Sequence, residues 1–267
     1  MKIALYLRHI DHASQPVFDE LVAALHAKGI AVQPVTDGDS VDGCDFLFSI
    51  GGDGTLLSSV QFVRSSNPAG FPPILGINFG HLGFLTTVGK ENFGAMVDDL
   101  LAGHYSLEQR TLLQINSESY ALNEVFLHRS DESSLLRTQV FVDGDYVATY
   151  AGDGVIVATP TGSTAYSLSC GGPILTPNSR GLVITPISAH TLTLRPIIVP
   201  DTSHILLRVE NGGLFTLGTD SRRHQMEGSV ELNLRLAPFT ISLIRMNTQN
   251  FFSAIRDKLM WGTEVRE

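Results

Sequence analysis

The alternation of apolar runs across the first hundred residues limits the fold more than any other feature of the chain. "KIALYLR" (2–8), "DFLFSI" (45–50) and "PPILGINF" (72–79) have the length of strands. Segments of helical period lie between and after them: "FDELVAALHAKG" (18–29), "TLLSSVQFVRSS" (55–66) and "NFGAMVDDLLAG" (92–103). Strands alternating with helices of this length build parallel βαβ units whose strand ends carry function. After about residue 104 the rhythm changes. "SLEQRTLLQIN", "SYALNEVFLHR", "LLRTQVFVDGDYVATYAG" and "SHILLRVENGGLFTLGTD" read as strands, with hairpin turns expected at Asp143-Gly144 and Asn211-Gly212. The tail "NFFSAIRDKLMWG" (250–262) returns to a helical pattern with Phe251 or Phe252, Ile255 and Leu259 on one side. The expected architecture is an α/β N-terminal domain, Rossmann-like with a parallel sheet (1–103). A mainly β domain (104–245) follows, and a C-terminal segment (246–267) is expected to pack back on the first domain.

The chain has 267 residues, 43% of them apolar, enough for a substantial core. Its formal charge of −9 argues against a sequence-blind nucleic-acid binder, which needs a basic face. Residues 1–100 hold five Lys/Arg against eleven Asp/Glu, so cationic help for an anionic substrate must come from the remainder or from a metal ion. Cys44 and Cys170 are too few for a disulfide framework or a cysteine zinc site, and a reducing compartment is expected. "MKIALYLRHI" has no cleavage signature, and no apolar stretch reaches the roughly 18 residues of a membrane span, so a soluble cytoplasmic protein is expected.

Two stretches carry chemistry. "SIGGDGTLLSS" (49–59) places glycines 51, 52 and 54 at a strand end, where backbone N–H groups and a helix start suit a phosphate. Asp53 sits in the middle of that turn, a charge that would repel the anion. Either it caps the helix through the dipole, or it takes a proton from an attacking hydroxyl or meets the metal on the phosphate. "GDGVIVATPTGSTAYSLSCGGPI" (152–174) is the more specific stretch. After Asp153 and a short apolar strand, Thr159, Thr161, Ser163, Thr164, Ser167 and Ser169 surround Tyr166, with Gly162, Gly171 and Gly172 among them. Taken singly the hydroxyls read as a polar turn; together they look like a backbone built to approach a polar ligand closely. The serine contexts are not a G-x-S-x-G nucleophile elbow. The Asn123-Glu124 pair lies in a strand-like run, so either one of the two side chains faces the core and needs a partner there, or the pair sits on a surface hairpin edge.

These stretches, with "GHLGF" (80–84), "LNEVFLHR" (122–129), "ITPISAHTLTLRPIIVP" (184–200) and the ending "FFSAIRDKLMWG", closely resemble the NAD kinases over essentially the whole chain. "GGDGT" alone is shared with diacylglycerol kinases and their relatives; "TPTGSTAYSLS" makes the resemblance specific. It implies phosphoryl transfer from ATP, or polyphosphate in some members, to the 2′-hydroxyl of the adenosine ribose of NAD, giving NADP and ADP. A divalent metal, usually Mg²⁺, is implied, carried by the nucleotide phosphates with no metal site made by protein alone. Homodimers or homotetramers with an NAD site shared between subunits are implied as well. By position, Asp53 matches the catalytic aspartate, the expected general base, and Gly54 belongs to its turn. Asn123 and Glu124 match the NAD-binding pair. Thr164, Ala165, Tyr166, Ser167, Leu168 and Ser169 match the NAD-contacting segment, and Asp153 matches an aspartate expected to reach a neighbouring subunit's NAD. No nucleic-acid or membrane partner is implied.

The resemblance departs at two places. Ala151 stands where many members carry an Arg, two residues before the second aspartate, and Asp220-Ser221-Arg222 stands for Asp-Gly-Gln. Arg222 and Arg223 are candidate ligands of the donor phosphates, or else a solvated pair. His81 and His190 lie beside glycines or in turns and are not assigned to the site. A lipid or sugar kinase of the wider "GGDGT" group and a non-catalytic dinucleotide sensor remain alternatives. A dehydrogenase is disfavoured, since no G-x-G-x-x-G closes a first strand.

Overall fold

The computed structural model describes residues 1–8, 15–62, 70–80, 83–89, 93–117, 119–130, 135–246 and 250–262. It divides into two compact units, Met1–Gln109 with Ile241–Glu267, and Arg110–Thr240.

The first unit is built on parallel strands. β1 (Lys2–Leu7) pairs with β2 (Ala31–Val35) on one side and β3 (Phe46–Ile50) on the other. β3 pairs with β4 (Ile74–Ile77), which also meets Leu243 in parallel register. β2 has no apolar run to announce it, since "AVQPV" contains Pro34. A strand at the sheet edge tolerates proline because one row of its N–H groups is unpaired. Helices α1 (Gln15–Ala27) and Phe93–Ala102 turn Leu21, Leu25, Phe93 and Val97 into a core shared with Ile3, Leu5, Phe48, Leu75 and Ile77. The helix expectations shift in extent: that over 18–29 becomes Gln15–Ala27, that over 92–103 becomes Phe93–Ala102, the helix expected from 55 starts at Asp53 and runs to Ser59, and the tail helix is Phe251–Leu259. Residues 63–66 lie outside the described set. Asn250 opens the tail helix with a reciprocal capping box to Ser253, and its last turn carries Arg256 and Lys258 at the negative end of the dipole. Ile255 is its buried residue, while Phe252 is exposed.

The second unit is antiparallel. The end of β5 (Tyr105–Ile115) pairs with β6 (Ser119–Ala121). β7 (Glu124–Arg129) lies between β10 (Gly154–Ala158) and β13 (Ile205–Thr219). From β10 the sheet continues to β11 (Gly181–Ile187) and β12 (Ile197–Pro200). β13 pairs with β14 (Arg222–Met246) and with β8 (Leu136–Val142), which turns back into β9 (Asp145–Gly152). The turn expected at Asp143-Gly144 forms, with φ of 53° and 90°. The one expected at Asn211-Gly212 does not. β13 runs straight through it with register shifts on either side of Gly212, which faces Gly228 on β14. The absence of side chains at that pair lets the ladder absorb the irregularity as a bulge. The real reversal comes at Asp220, held at φ 51°.

Phe48 lies in the middle of β3 with no exposed surface. Phe48→Ala is expected to destabilise the first unit by about 3–5 kcal/mol, read as a lower midpoint in urea unfolding.

Candidate active site

The site residues of the first unit stand at the ends of two neighbouring strands. Ile50 and Ile77 are partners in the β3–β4 register, so the chain leaves both strands at the same edge of the sheet. After Ile50 come Gly51, Gly52 and Asp53; beyond Ile77 comes the turn that contains Gly83 and Phe84. The Asp53 carboxylate reaches across to that turn. Its Oδ2 accepts the Phe84 N–H at 2.8 Å, and its Oδ1 accepts the Leu85 and Thr86 N–H groups at 3.1 Å each and the Thr86 hydroxyl at 3.2 Å. A Cβ on Gly83 would overlap this carboxylate, so the close approach needs glycine there. A carboxylate offers about four acceptor positions, two per oxygen. Among the described residues, Oδ2 uses one of its two. Gly54, next along, has open space where a side chain would project. His81 and Leu82 lie outside the described residues.

The second unit gathers a different set. Asp220 is buried and its carboxylate accepts the backbone N–H groups of Leu122 (2.8 Å), Asn123 (2.8 Å) and Glu124 (3.2 Å), while its own N–H donates to the Glu124 carbonyl (3.0 Å). This clasp turns Asn123 and Glu124 inward. Both are more than nine-tenths buried, and neither Asn123 Oδ1 nor Glu124 Oε2 has a hydrogen-bond partner among the described residues. Buried polar atoms normally find partners, which makes this pair an exception within the unit. Glu124, Phe126, Tyr166, Thr216, Asp220 and Arg223 line one cavity of about 310 Å³.

Burial and the neighbouring Asp220 charge push the Glu124 carboxyl up to about 8, against the Tyr166 N–H and Arg223, which favour its ionised form. Burial also raises Asp220, to about 6, although three backbone donors and Arg222 oppose the shift. The two carboxyls interact, so protons leave the pair in coupled steps.

The segment between Thr159 and Ser169 divides its hydroxyls by role. Thr159 Oγ1 donates to the Leu122 carbonyl at 2.5 Å and accepts the Gly162 N–H. Ser163, fully buried, donates to the Pro160 carbonyl and accepts the Leu175 N–H. Ser167, fully buried, pairs through its hydroxyl with Thr185 at 2.8 Å. Thr164 donates to the Thr161 carbonyl, at 3.3 Å. Ala165, Tyr166 and Leu168 are half-buried, and Ser169 is exposed. Tyr166 packs edge to face on Phe126 at 5.3 Å between centroids. Asp153 is held by Arg129 at 2.6 Å. Its burial opposes ionisation, but the Arg129 and Ser188 hydrogen bonds and the Arg129 charge outweigh that and leave its carboxyl below the usual range. Arg222 donates to the Tyr120 carbonyl at 3.2 Å, apart from the cavity, whereas Arg223 lines it. Phe126, His128 and Thr216 are cavity residues that sequence reading passed over, and Phe126 is the one that packs on Tyr166. Its signal was its place two residues after Glu124 on the same strand, hence on the same face. Among the described residues, no group of three or more His, Cys, Asp or Glu side chains gathers as a metal site.

The chain matches the family models described as ATP-NAD kinase N-terminal domain over residues 13–105 and ATP-NAD kinase C-terminal domain over residues 122–246. It is 40% identical over 230 residues to the NAD kinase of Cytophaga hutchinsonii, covering 83% of this chain and 77% of that one. It is 34% identical to the NAD kinase of Flavobacterium johnsoniae across the full length of both. Among solved structures, an Archaeoglobus fulgidus NAD kinase in complex with ATP superposes with a TM-score of 0.80 at 25% identity, covering 96% of this chain and 99% of that one. Yeast NADH kinase complexed with NADH shares the fold, with a TM-score of 0.90 at 23% identity, covering 99% and 89%.

A carboxyl raised in the folded protein contributes stability that is complete below its unfolded value and is lost as pH rises through its folded one. Glu124, ordinarily near 4.5 and here about 8, makes the protein less stable as pH climbs across that window. Glu124→Gln is expected to flatten this decline, so that its melting temperature falls less than the wild type's between about pH 5 and about pH 8.5 in scanning calorimetry.

Proposed function

The chain belongs to the NAD kinase family, and we propose that its reaction runs through Asp53 as the base acting on the adenosine ribose 2′-hydroxyl of NAD. The single observation behind this assignment is the orientation of the Asp53 carboxylate: three backbone N–H groups fix it, and Oδ2 keeps an acceptor position for a hydroxyl proton. As the 2′-oxygen forms its bond to the γ-phosphorus of ATP, the bond from that phosphorus to the β–γ bridging oxygen breaks. The hydroxyl proton passes to Asp53, and the products are NADP and ADP. Mg²⁺ on the triphosphate, when bound, offsets the charge that would otherwise set the phosphates against Asp53.

On the acceptor side, Asn123 Oδ1 and Glu124 Oε2 are suited to receive ribose hydroxyls, and a bound sugar would fill the partners these buried atoms lack. Tyr166 supplies a half-buried aromatic face for a flat ring, and the backbone from Thr164 to Ser169 the amide contacts. Asp153, tied to Arg129, is available to a neighbouring protomer's dinucleotide in a homodimer or homotetramer. Leu192, Ile198 and Leu214, exposed on the second unit, support assembly of this kind. No described helix is long and apolar enough to cross a membrane; the place of action we propose is the cytoplasm.

Asp53→Asn keeps the side chain's shape and removes the base. NADP formation from NAD and ATP–Mg²⁺ is expected to drop by roughly 10²–10⁴-fold while NAD affinity, measured by calorimetry, stays near wild type. Unchanged turnover would refute the role, and retained binding with no turnover even in the wild type would favour a dinucleotide sensor. Gly83→Ala, which drives a methyl group into the Asp53 carboxylate, is expected to lower kcat without altering residues of the NAD cavity.

A further inference from the structure

Arg223 occupies an unusual setting. Arg223, Gly218 and Phe126 are register partners in one row across β14, β13 and β7. Gly218 has no side chain, and a Cβ there would overlap the Phe126 ring. The arginine therefore crosses over the glycine and lays its guanidinium on the ring, 4.9 Å from the centroid. Phe126 is itself buried and in T-shaped contact with Tyr166. The guanidinium carbon thus lies over the ring, while its N–H groups have no hydrogen bond or ion pair among the described residues. Arg222 faces the other way, as alternation along a strand requires, and is engaged by the Tyr120 carbonyl.

The cavity next to Arg223 contains the Glu124 carboxyl with its unpartnered oxygen. A ligand in this cavity that meets Glu124 with a hydroxyl and also fills the Arg223 donors carries hydroxyls and an oxyanion within one molecule. A dinucleotide does so. We infer that Arg223 binds the pyrophosphate of the acceptor dinucleotide, and so belongs to the acceptor side of the reaction rather than to the donor triphosphate. This rests on the reading of the cavity as the NAD site.

Arg223→Ala and Arg223→Lys, compared with wild type, test it by calorimetry with NAD and with adenosine, which has no phosphate, and by KM for NAD and for ATP. The expected result for Arg223→Ala is NAD binding weakened about tenfold or more, as for a lost charge-assisted hydrogen bond, and a matching rise in KM for NAD. Adenosine binding and KM for ATP are expected to stay within about twofold of wild type, since neither involves that bond. Lys, a point charge without the planar fork, is expected to restore only part of the NAD affinity. An unchanged KM for NAD, a rise confined to KM for ATP, or an equal loss of adenosine and NAD binding would overturn the inference while leaving the kinase reading intact. Failure of the wild-type protein to form NADP would overturn both.

Discussion

Both units rely on the same device, a carboxylate that gathers successive backbone N–H groups from a distant stretch of chain. Asp53 binds the N–H groups of residues 84–86, and Asp220 those of residues 122–124. Charge-assisted bonds to backbone donors are stronger than neutral ones and are directional. Each aspartate therefore sets the path of a loop as well as its own orientation. In the first unit the oriented group is the carboxylate itself. In the second, the clasp holds the backbone of Leu122 to Glu124, and Glu124 lines the cavity.

That second arrangement carries a penalty. Two acidic side chains lie close together in a buried pocket, and one carboxyl oxygen and one amide oxygen lack partners. Desolvation lifts both carboxyls; the Asp220 charge raises Glu124 further, against the Tyr166 N–H and Arg223, while three backbone donors and Arg222 oppose the rise at Asp220. A protein selected for stability alone would fill or pair such atoms. Here the two acids instead line a cavity of about 310 Å³ together with Phe126, Tyr166 and Arg223.

The hydroxyl-rich segment from Thr159 to Ser169 illustrates how far composition can be read. Its density of Ser and Thr marks a place where backbone must pack tightly without apolar bulk. Thr159, Ser163 and Ser167 satisfy buried backbone or side-chain groups within the unit, and by doing so they fix the turn that presents Tyr166. Supporting hydroxyls and ligand-facing ones look alike in the sequence, because both are small, polar and set among glycines. Their partners tell them apart, and those partners include Leu122 and Thr185, remote along the chain.

The sequence alone determined the features whose cause is local. Apolar runs and helical periods marked the parallel strands, the helices and the later change to β structure, because side-chain periodicity follows directly from backbone geometry. The motifs carrying Asp53, Asn123-Glu124 and Tyr166 were also visible, down to individual residues. Tertiary structure decided everything that depends on a partner elsewhere in the chain. It set the 31-residue reach from Asp53 to Phe84 through the β3–β4 register, and the 98-residue reach from Asp220 to Leu122. It made Asn211-Gly212 a bulge and β2 an edge strand, and it separated Arg222 from Arg223 by laying one over Phe126 across a glycine. Such choices come from packing and strand register, which join residues that sequence proximity keeps apart.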